Sequence, residues 1–183
     1  MGVLQFLLSA AGAVSFMHAA DAQTSSVATG TSSADVVQPL MVTKVGDLQF
    51  GAVVSGEREG AVTVNWDGQT SYRGGTQMPC PGAPCGKPSP ALFTIRGAPG
   101  ASYSIELPSY VLAIGRSPAG VALPPLLATG LIAKAESRSG AGNSGQLDEQ
   151  GYDRIQIGGT LILPARAAAG TYSADILVAV SYL

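Results

Sequence analysis

Apolar and polar residues alternate over the last fourteen residues of the chain, GTYSADILVAVSYL. Side chains of a β-strand point to opposite faces with a period of two, so this alternation predicts one half-buried strand over residues 170–183. Leu177 and Leu183 are the apolar exceptions on the polar face. The residues predicted on the apolar face are Tyr172, Ala174, Ile176, Val178, Val180 and Tyr182.

Short apolar segments separated by turn signals continue this pattern upstream. The Asp67-Gly68 pair predicts a turn, and the Gly158-Gly159 pair predicts a β-bulge. Several short strands with turns between them predict an all-β domain, with a β-sandwich as the leading architecture. The segments predicted as strands are residues 60–66, 91–96, 102–107, 131–135 and 155–163.

Three regions depart from the strand pattern. Residues 71–90 are rich in Gly and Pro and predict a loop, and residues 137–153 predict the most mobile internal segment. Prolines and Gly115 allow only short strands within residues 111–127. Trp66 is in register with the apolar face of the 60–66 segment, which favours a core position over an exposed sugar-stacking platform.

Residues 1–22 are predicted to be a signal peptide. Residues 3–20 are mostly apolar and contain no Lys, Arg, Asp or Glu, and an A-x-A site predicts cleavage between Ala22 and Gln23. No basic residue precedes the apolar segment. A late start codon, an atypical signal and an N-terminal membrane anchor therefore stay open as alternatives. The signal predicts export to the periplasm, the cell surface or the extracellular space.

Two further parts follow the predicted signal. Residues 23–35 are rich in Ser, Thr and Ala and predict a flexible N-terminal extension. Residues 36–183 are the predicted β-sandwich domain, and no segment in them is long and apolar enough to span a membrane.

Cys80 and Cys85 are separated by four residues, three of them Pro or Gly. In an exported chain this spacing predicts a local disulfide that closes a small surface loop. Zinc is the alternative, but it would need two further ligands. The stabilisation expected from such a short loop is modest.

The sequence offers few of the residues that common catalytic, metal and nucleic-acid sites require. The single histidine, His18, falls in the predicted signal, so the mature chain lacks the usual general base and metal ligand. Two carboxylate pairs, Glu57 with Glu59 and Asp148 with Glu149, are interpreted as solvated loop charges. Ten basic and twelve acidic residues give a net charge of -2 without a basic patch, so no nucleic-acid binding is expected. The sequence predicts no enzyme, cofactor or metal site.

The last fourteen residues resemble the C-terminal strand of bacterial fimbrial subunits assembled by a chaperone and an outer-membrane usher. Those subunits have a tyrosine next to last and a glycine fourteenth from the end, here Tyr182 and Gly170. The resemblance implies an incomplete immunoglobulin-like β-sandwich completed by a donated strand. It implies a periplasmic chaperone and usher, or neighbouring copies, as partners. The implied assembly strand comprises Gly170, Tyr172, Ala174, Ile176, Val178, Val180 and Tyr182.

The chain departs from the fimbrial pattern in two places. The donor extension of such subunits carries alternating apolar residues, whereas residues 23–35 offer only Val27 with small partners. Their disulfide often links distant strands, whereas Cys80 and Cys85 would close a local loop.

A second resemblance covers nearly the whole mature chain. The segments DLQFG, GAVTV, FTIRGAPGASYSIELP and IGGTLILPARAAAGTYSADILVAVSY occur in this order. They resemble the domain of unknown function 4402, a family of secreted bacterial β-domains without settled activity. The resemblance implies the fold and export, and it adds no catalytic or binding residues.

Two functions are predicted from these observations. The first is a secreted, non-enzymatic structural or adhesive protein, a fimbria-like surface subunit assembling by β-strand addition. The alternative is a self-complete β-sandwich that binds a carbohydrate or protein ligand through residues 71–90 and 137–153. The deciding feature is the outer edge of residues 171–183. A strand from residues 23–45 would complete the domain there, whereas an empty groove would require a strand from outside.

Overall fold

The structure, a computed structural model, describes residues 29–34, 36, 38–78 and 86–183. Residues Val36–Leu183 form one compact unit. The described residues form strands, turns and irregular segments without a helix, which confirms the all-β prediction. The predicted cleavage site at Ala22 and Gln23 and the predicted disulfide between Cys80 and Cys85 lie outside the described residues.

Eleven strands occur in the described part of the chain. They are β1 (Met41–Gly46), β2 (Val54–Val64), β3 (Thr70–Gln77), β4 (Ala91–Arg96), β5 (Ser102–Glu106), β6 (Tyr110–Arg116), β7 (Ala122–Ala135), β8 (Ser144–Gln146), β9 (Tyr152–Leu163), β10 (Thr171–Ser173) and β11 (Ala179–Tyr182).

Strand β9 is central to the larger of two sheets. One side of β9 pairs with β7, and the other side pairs first with β4 and then with β2, so that β4 and β2 lie in line. The order across this sheet is β1-β4-β9-β7-β6-β10, with β3 joined to β2. All of its pairings are antiparallel.

Strands β11, β5 and β8 form the smaller sheet. Its inward side chains, Tyr103 and Ile105, pack with Ile95, Ile155 and Ile157 of the larger sheet. Sheet packs on sheet through alternate apolar side chains, which is the arrangement of a β-sandwich. A second cluster of buried residues lies along β2, β6, β7 and β9: Val62, Ala113, Leu126, Ala128, Leu161 and Leu163.

A buried polar contact joins the two sheets. The Tyr103 hydroxyl on β5 donates to Asp153 Oδ2 on β9 at 2.7 Å. Asp153 also accepts from the Ser137 hydroxyl and from the backbone amide of Arg154. Burial, and then the hydrogen bond to Asp153, raise the pKa of Tyr103, so its hydroxyl stays protonated and donates to the carboxylate.

The bulge predicted at Gly158-Gly159 is present, but the extra residue belongs to β7. The pairing of β7 with β9 shifts between Thr129 and Ile132, where two β7 residues face the single residue Gly159. Gly130, one of these two, has a φ of +61°, a conformation that glycine adopts without strain.

Two predicted loops are wrong in part. Residues 71–77 belong to β3, which pairs with β2 across the predicted Asp67-Gly68 turn. Residues 137–153 contain β8, and Leu147 is only 2 % exposed. The Leu147 amide donates to the Ala101 carbonyl, so this segment is attached to the small sheet rather than projecting freely.

The prediction of only short strands within residues 111–127 is confirmed for the seven-residue β6 but wrong for β7, which continues through Pro124 and Pro125 and extends over fourteen residues. Pro124 and Pro125 lie near its start, whereas its pairing with β9 begins only at Leu127. Backbone N–H groups of consecutive strand residues point to opposite edges, so one proline faces the edge toward β9, where pairing has not begun, and the other faces β6 at the register shift between Ala113 and Gly115.

Trp66 is not a core residue, contrary to the sequence-based interpretation. Strand β2 ends at Val64, and the turn over residues 65–69 begins before the alternation reaches Trp66. The indole is half-buried, and the Lys134 ammonium lies 5.4 Å from its ring centroid. The contact is a cation–π interaction at the surface.

Candidate functional site

The C-terminal segment passes from one sheet to the other. Strand β10 pairs with β6 in the larger sheet, and β11 pairs with β5 in the smaller one. Residues 174–178 connect them outside any assigned strand. The single strand predicted over residues 170–183 is therefore wrong, because the segment divides into two short strands.

The predicted alternation of faces is nevertheless present across both strands. Ala174 is exposed, as is Gly170. Residues on the opposite face from 171 to 183 are all exposed. The predicted apolar residues that are half-buried are Tyr172, Ile176, Val178, Val180 and Tyr182.

The outer edge of this segment has no partner strand among the described residues. Strand β10 ends the order of the larger sheet, and β11 ends that of the smaller one. Strand β1, which lies within the range expected to supply a completing strand, pairs with β4 instead. The described residues therefore leave this edge open.

A groove lies beside the open edge, between residues 44–50 and residues 172–176. We call it the C-terminal groove. It has a volume of about 560 Å³ and continues into a second cavity of about 800 Å³ between residues 48–55 and 167–172. The side chains at its floor are apolar and largely buried: Phe93, Ala113, Ala128 and Leu161.

The charges of the C-terminal groove lie at one of its ends. Lys44 and Asp47 form an exposed ion pair at 2.8 Å, and Asp175 lies on the opposite wall. The hydrogen bond and charge of Asp47 raise the pKa of Lys44, and Asp175 adds to this effect. The other end, near residues 167–170, is lined by uncharged residues, among them Val54, Leu163 and Ala168.

Glycines set the close packing of the wall that carries β10. Tyr172 pairs across the strands with Gly115, and a Cβ at Gly115 would collide with the Tyr172 ring. A Cβ at Gly170 would likewise collide with Leu123 and with the Arg116 carbonyl. Both glycines are required by close approach of neighbouring atoms rather than by a positive φ.

The Tyr182 hydroxyl connects the end of the chain to its entry into the domain. It accepts from the Ala98 amide at 2.7 Å and donates to the Gln38 carbonyl at 2.6 Å. These two bonds tie β11 both to the β4–β5 turn and to the residues before β1. The sequence identified Tyr182 but gave no indication of Gln38 or Ala98, because both contacts are long-range and made by backbone atoms.

The entry of the chain and the far end of the C-terminal groove lie at opposite ends of β9. Met41 pairs with Arg96, which pairs with Tyr152 at the start of β9. The far end of the groove is lined by Ser55 and by Leu163, and Leu163 is the last residue of β9.

Two of the four candidate carboxylates make local contacts. The interpretation of Glu57 and Glu59 as loop charges is wrong, because β2 begins at Val54 and includes both. Glu57 is exposed on this strand and bonds Arg166 at 3.1 Å, whereas Asp148 accepts from two backbone amides of its own turn. The described residues contain no group of three or more His, Cys, Asp or Glu side chains suited to a metal ion. Within the same residues, no helix has the length and apolarity needed to cross a membrane.

The sequence profile of the domain of unknown function DUF4402 matches residues 40–182. The chain belongs to the DUF4402 family. The DUF4402 match begins one residue before β1 and includes both walls and the floor of the C-terminal groove. No curated protein matches this chain.

Proposed function

We propose that this DUF4402 protein is a secreted, non-enzymatic surface subunit that assembles in a fimbria-like manner. Its C-terminal groove accepts an extended strand from a partner by β-strand addition. The observation that carries the proposal is the open outer edge of residues 171–183, which along residues 171–176 borders a groove with an apolar floor. An unpaired edge offers backbone donors and acceptors, and the floor offers sites for alternate side chains.

The energetics favour a donor with large apolar side chains. Ordering each residue of an incoming strand costs about 1–2 kcal/mol. Each ladder hydrogen bond returns about 1 kcal/mol, and each fully buried Val, Leu, Ile or Phe returns about 1.5–3 kcal/mol. Residues 23–35 supply Val27 as their only residue of this type, so exchange between copies is expected to be weak.

Export through the predicted signal would place the protein in the periplasm, at the cell surface or outside the cell. A periplasmic chaperone would lend a strand to the open edge before assembly. At an outer-membrane usher, the N-terminal extension of a neighbouring copy would then replace the chaperone strand. The alternative function as a self-complete binding module has less support, because residues 71–77 lie in a strand and not in a binding loop.

The test compares the expected mature chain, residues 23–183, with a variant lacking residues 23–35. We expect the mature chain to form a ladder of oligomers at high concentration and the shortened variant to remain a folded monomer. The matched control is a full-length mature variant in which the thirteen residues 23–35 are replaced by Gly and Ser. Size-exclusion chromatography with light scattering measures the mass.

Strand exchange would also be visible without a ladder, as binding of an added apolar strand peptide. The proposal fails if the mature chain stays monomeric, resists unfolding as strongly as a complete domain and binds no such peptide. A second contradiction would be a gene neighbourhood without a chaperone or an usher.

A further inference from the structure

We infer that the outer face of the larger sheet is a second interaction surface, through which two copies of this chain dock. The surface lies on β6, β7 and β9, facing away from the core. We call it the outer apolar patch, and it comprises Tyr110, Leu112, Ile114, Leu127 and Ile162.

The patch is continuous across three strands. Leu112 pairs with Leu127, and Leu127 pairs with Ile162, so these three side chains form one row. Their neighbours along each strand point inward, as Ala113, Leu126 and Leu161 are buried.

The patch residues on β6 and β7 are large and solvent-exposed. The exposed fraction is 57 % for Tyr110, 50 % for Leu112, 55 % for Ile114 and 39 % for Leu127. Apolar side chains scattered singly over a surface are ordinary, whereas a contiguous set of this kind is often a functional surface.

Charged side chains occur at the borders of the patch and not within it. Arg116 lies one outward position beyond Ile114 on β6. Arg73 is separated from Ile162 by Ala61 in the same cross-strand row. Beside the central row lies a row of hydroxyl side chains, Tyr110, Thr129, Thr160 and Thr63. An apolar centre with a polar border is the usual anatomy of a protein interface.

A second copy is the partner that this composition fits. Because the patch carries no charge, its partner needs no opposite charge. A two-fold axis would place the apolar patch of one copy against the same patch of a second copy, and the two surfaces would be complementary. Four exposed large side chains and the partly buried Ile162 present on the order of 500 Å². Two copies would bury about 1,000 Å², which is the lower limit for a specific interface. The expected dimer is therefore weak and concentration-dependent.

This contact differs from strand exchange in its geometry. A two-fold contact uses the same patch on both copies and stops at two, whereas strand exchange is head-to-tail and forms a ladder. The two kinds of association can therefore be separated by mass and by the variants that abolish each.

The test is sedimentation velocity of the expected mature chain from about 1 µM to about 1 mM. We expect a reversible shift from monomer to dimer. Leu112→Glu should weaken the dimer at least about tenfold, because it places two carboxylates on an apolar contact. Met41→Glu is the matched control, since Met41 is 59 % exposed on β1 at the opposite edge of the sheet and lies outside the patch.

The fold of both variants is checked by far-UV circular dichroism and thermal unfolding. The inference is overturned if the wild-type chain shows no dimer at the highest concentration, or if Leu112→Glu dimerises as well as Met41→Glu does. Deletion of residues 23–35 should remove any ladder and leave the dimer, so failure of one proposal does not imply failure of the other.

Discussion

Replacing Tyr182 by phenylalanine keeps the ring and removes one hydroxyl group. That hydroxyl accepts from the Ala98 amide at 2.7 Å and donates to the Gln38 carbonyl at 2.6 Å. Each bond contributes about 1 kcal/mol to stability, and the part-buried amide of Ala98 would lose its acceptor. The expected loss is about 2 kcal/mol. In a chain of this size it lowers the thermal midpoint by about 4–8 °C.

Urea unfolding with linear extrapolation measures the change in free energy, and hydrogen exchange locates it. The Ala98 amide should lose protection in Tyr182→Phe. Tyr172→Phe is the matched control, because its hydroxyl makes one exposed hydrogen bond, to the Ala168 carbonyl at 2.8 Å. We expect that control to cost about 1 kcal/mol or less. The reasoning is refuted if Tyr182→Phe lowers the free energy of unfolding no more than Tyr172→Phe does and leaves the Ala98 amide protected. The Tyr182 hydroxyl would then not stabilise the contact between β11 and the residues before β1.

Two further predictions concern packing and pH. Gly115→Val should destabilise the domain by about 1–3 kcal/mol, because the new side chain collides with the Tyr172 ring. Urea unfolding measures this loss. Gly140→Val is the control, since Gly140 is exposed and an added Cβ there has nothing within 4 Å. The contribution of Tyr103 should be fully present below about pH 10 and decline above it, since an unfolded tyrosine ionises near pH 10 whereas burial and Asp153 raise the pKa of folded Tyr103. Urea midpoints measured from about pH 8 to pH 11 test this. The midpoint of Tyr103→Phe should fall less than that of the wild type over this range. An equal fall in both proteins would show that other groups cause it.

Period-two alternation correctly predicted which side chains face inward, although the sequence does not reveal which strands pair with each other. Ile155 and Ile157 are fully buried, and the even positions from 176 to 182 are half-buried as expected. Alternation is a local property of extended backbone and survives the passage between sheets. For the same reason it could not reveal that residues 174–178 change from one sheet to the other.

The errors have both local and long-range causes. Trp66 follows the alternation of β2, but the strand ends two residues earlier at Val64. Pro124 and Pro125 are compatible with a strand because β9 pairs with β7 only from Leu127 onward and the β6–β7 register shifts beside them. The groove wall at residues 44–50 follows from pairing of β1 with β4. A short local pattern does not specify such long-range pairings.

The positions of the two chain ends bear on how copies would join. Tyr182 holds Gln38 at the end of the domain where β9 begins, whereas the C-terminal groove extends to the end where β9 finishes. A segment leading into Gln38 would have to reverse direction beside Tyr182 to run along the groove of its own copy. A neighbour placed end to end presents such a segment without that reversal. This contact joins unlike surfaces and does not close on itself, so it would propagate in one direction. In the proposed assembly, the bond from Tyr182 to Gln38 would therefore direct the segment before Gln38 toward a neighbouring copy rather than toward the groove of its own copy.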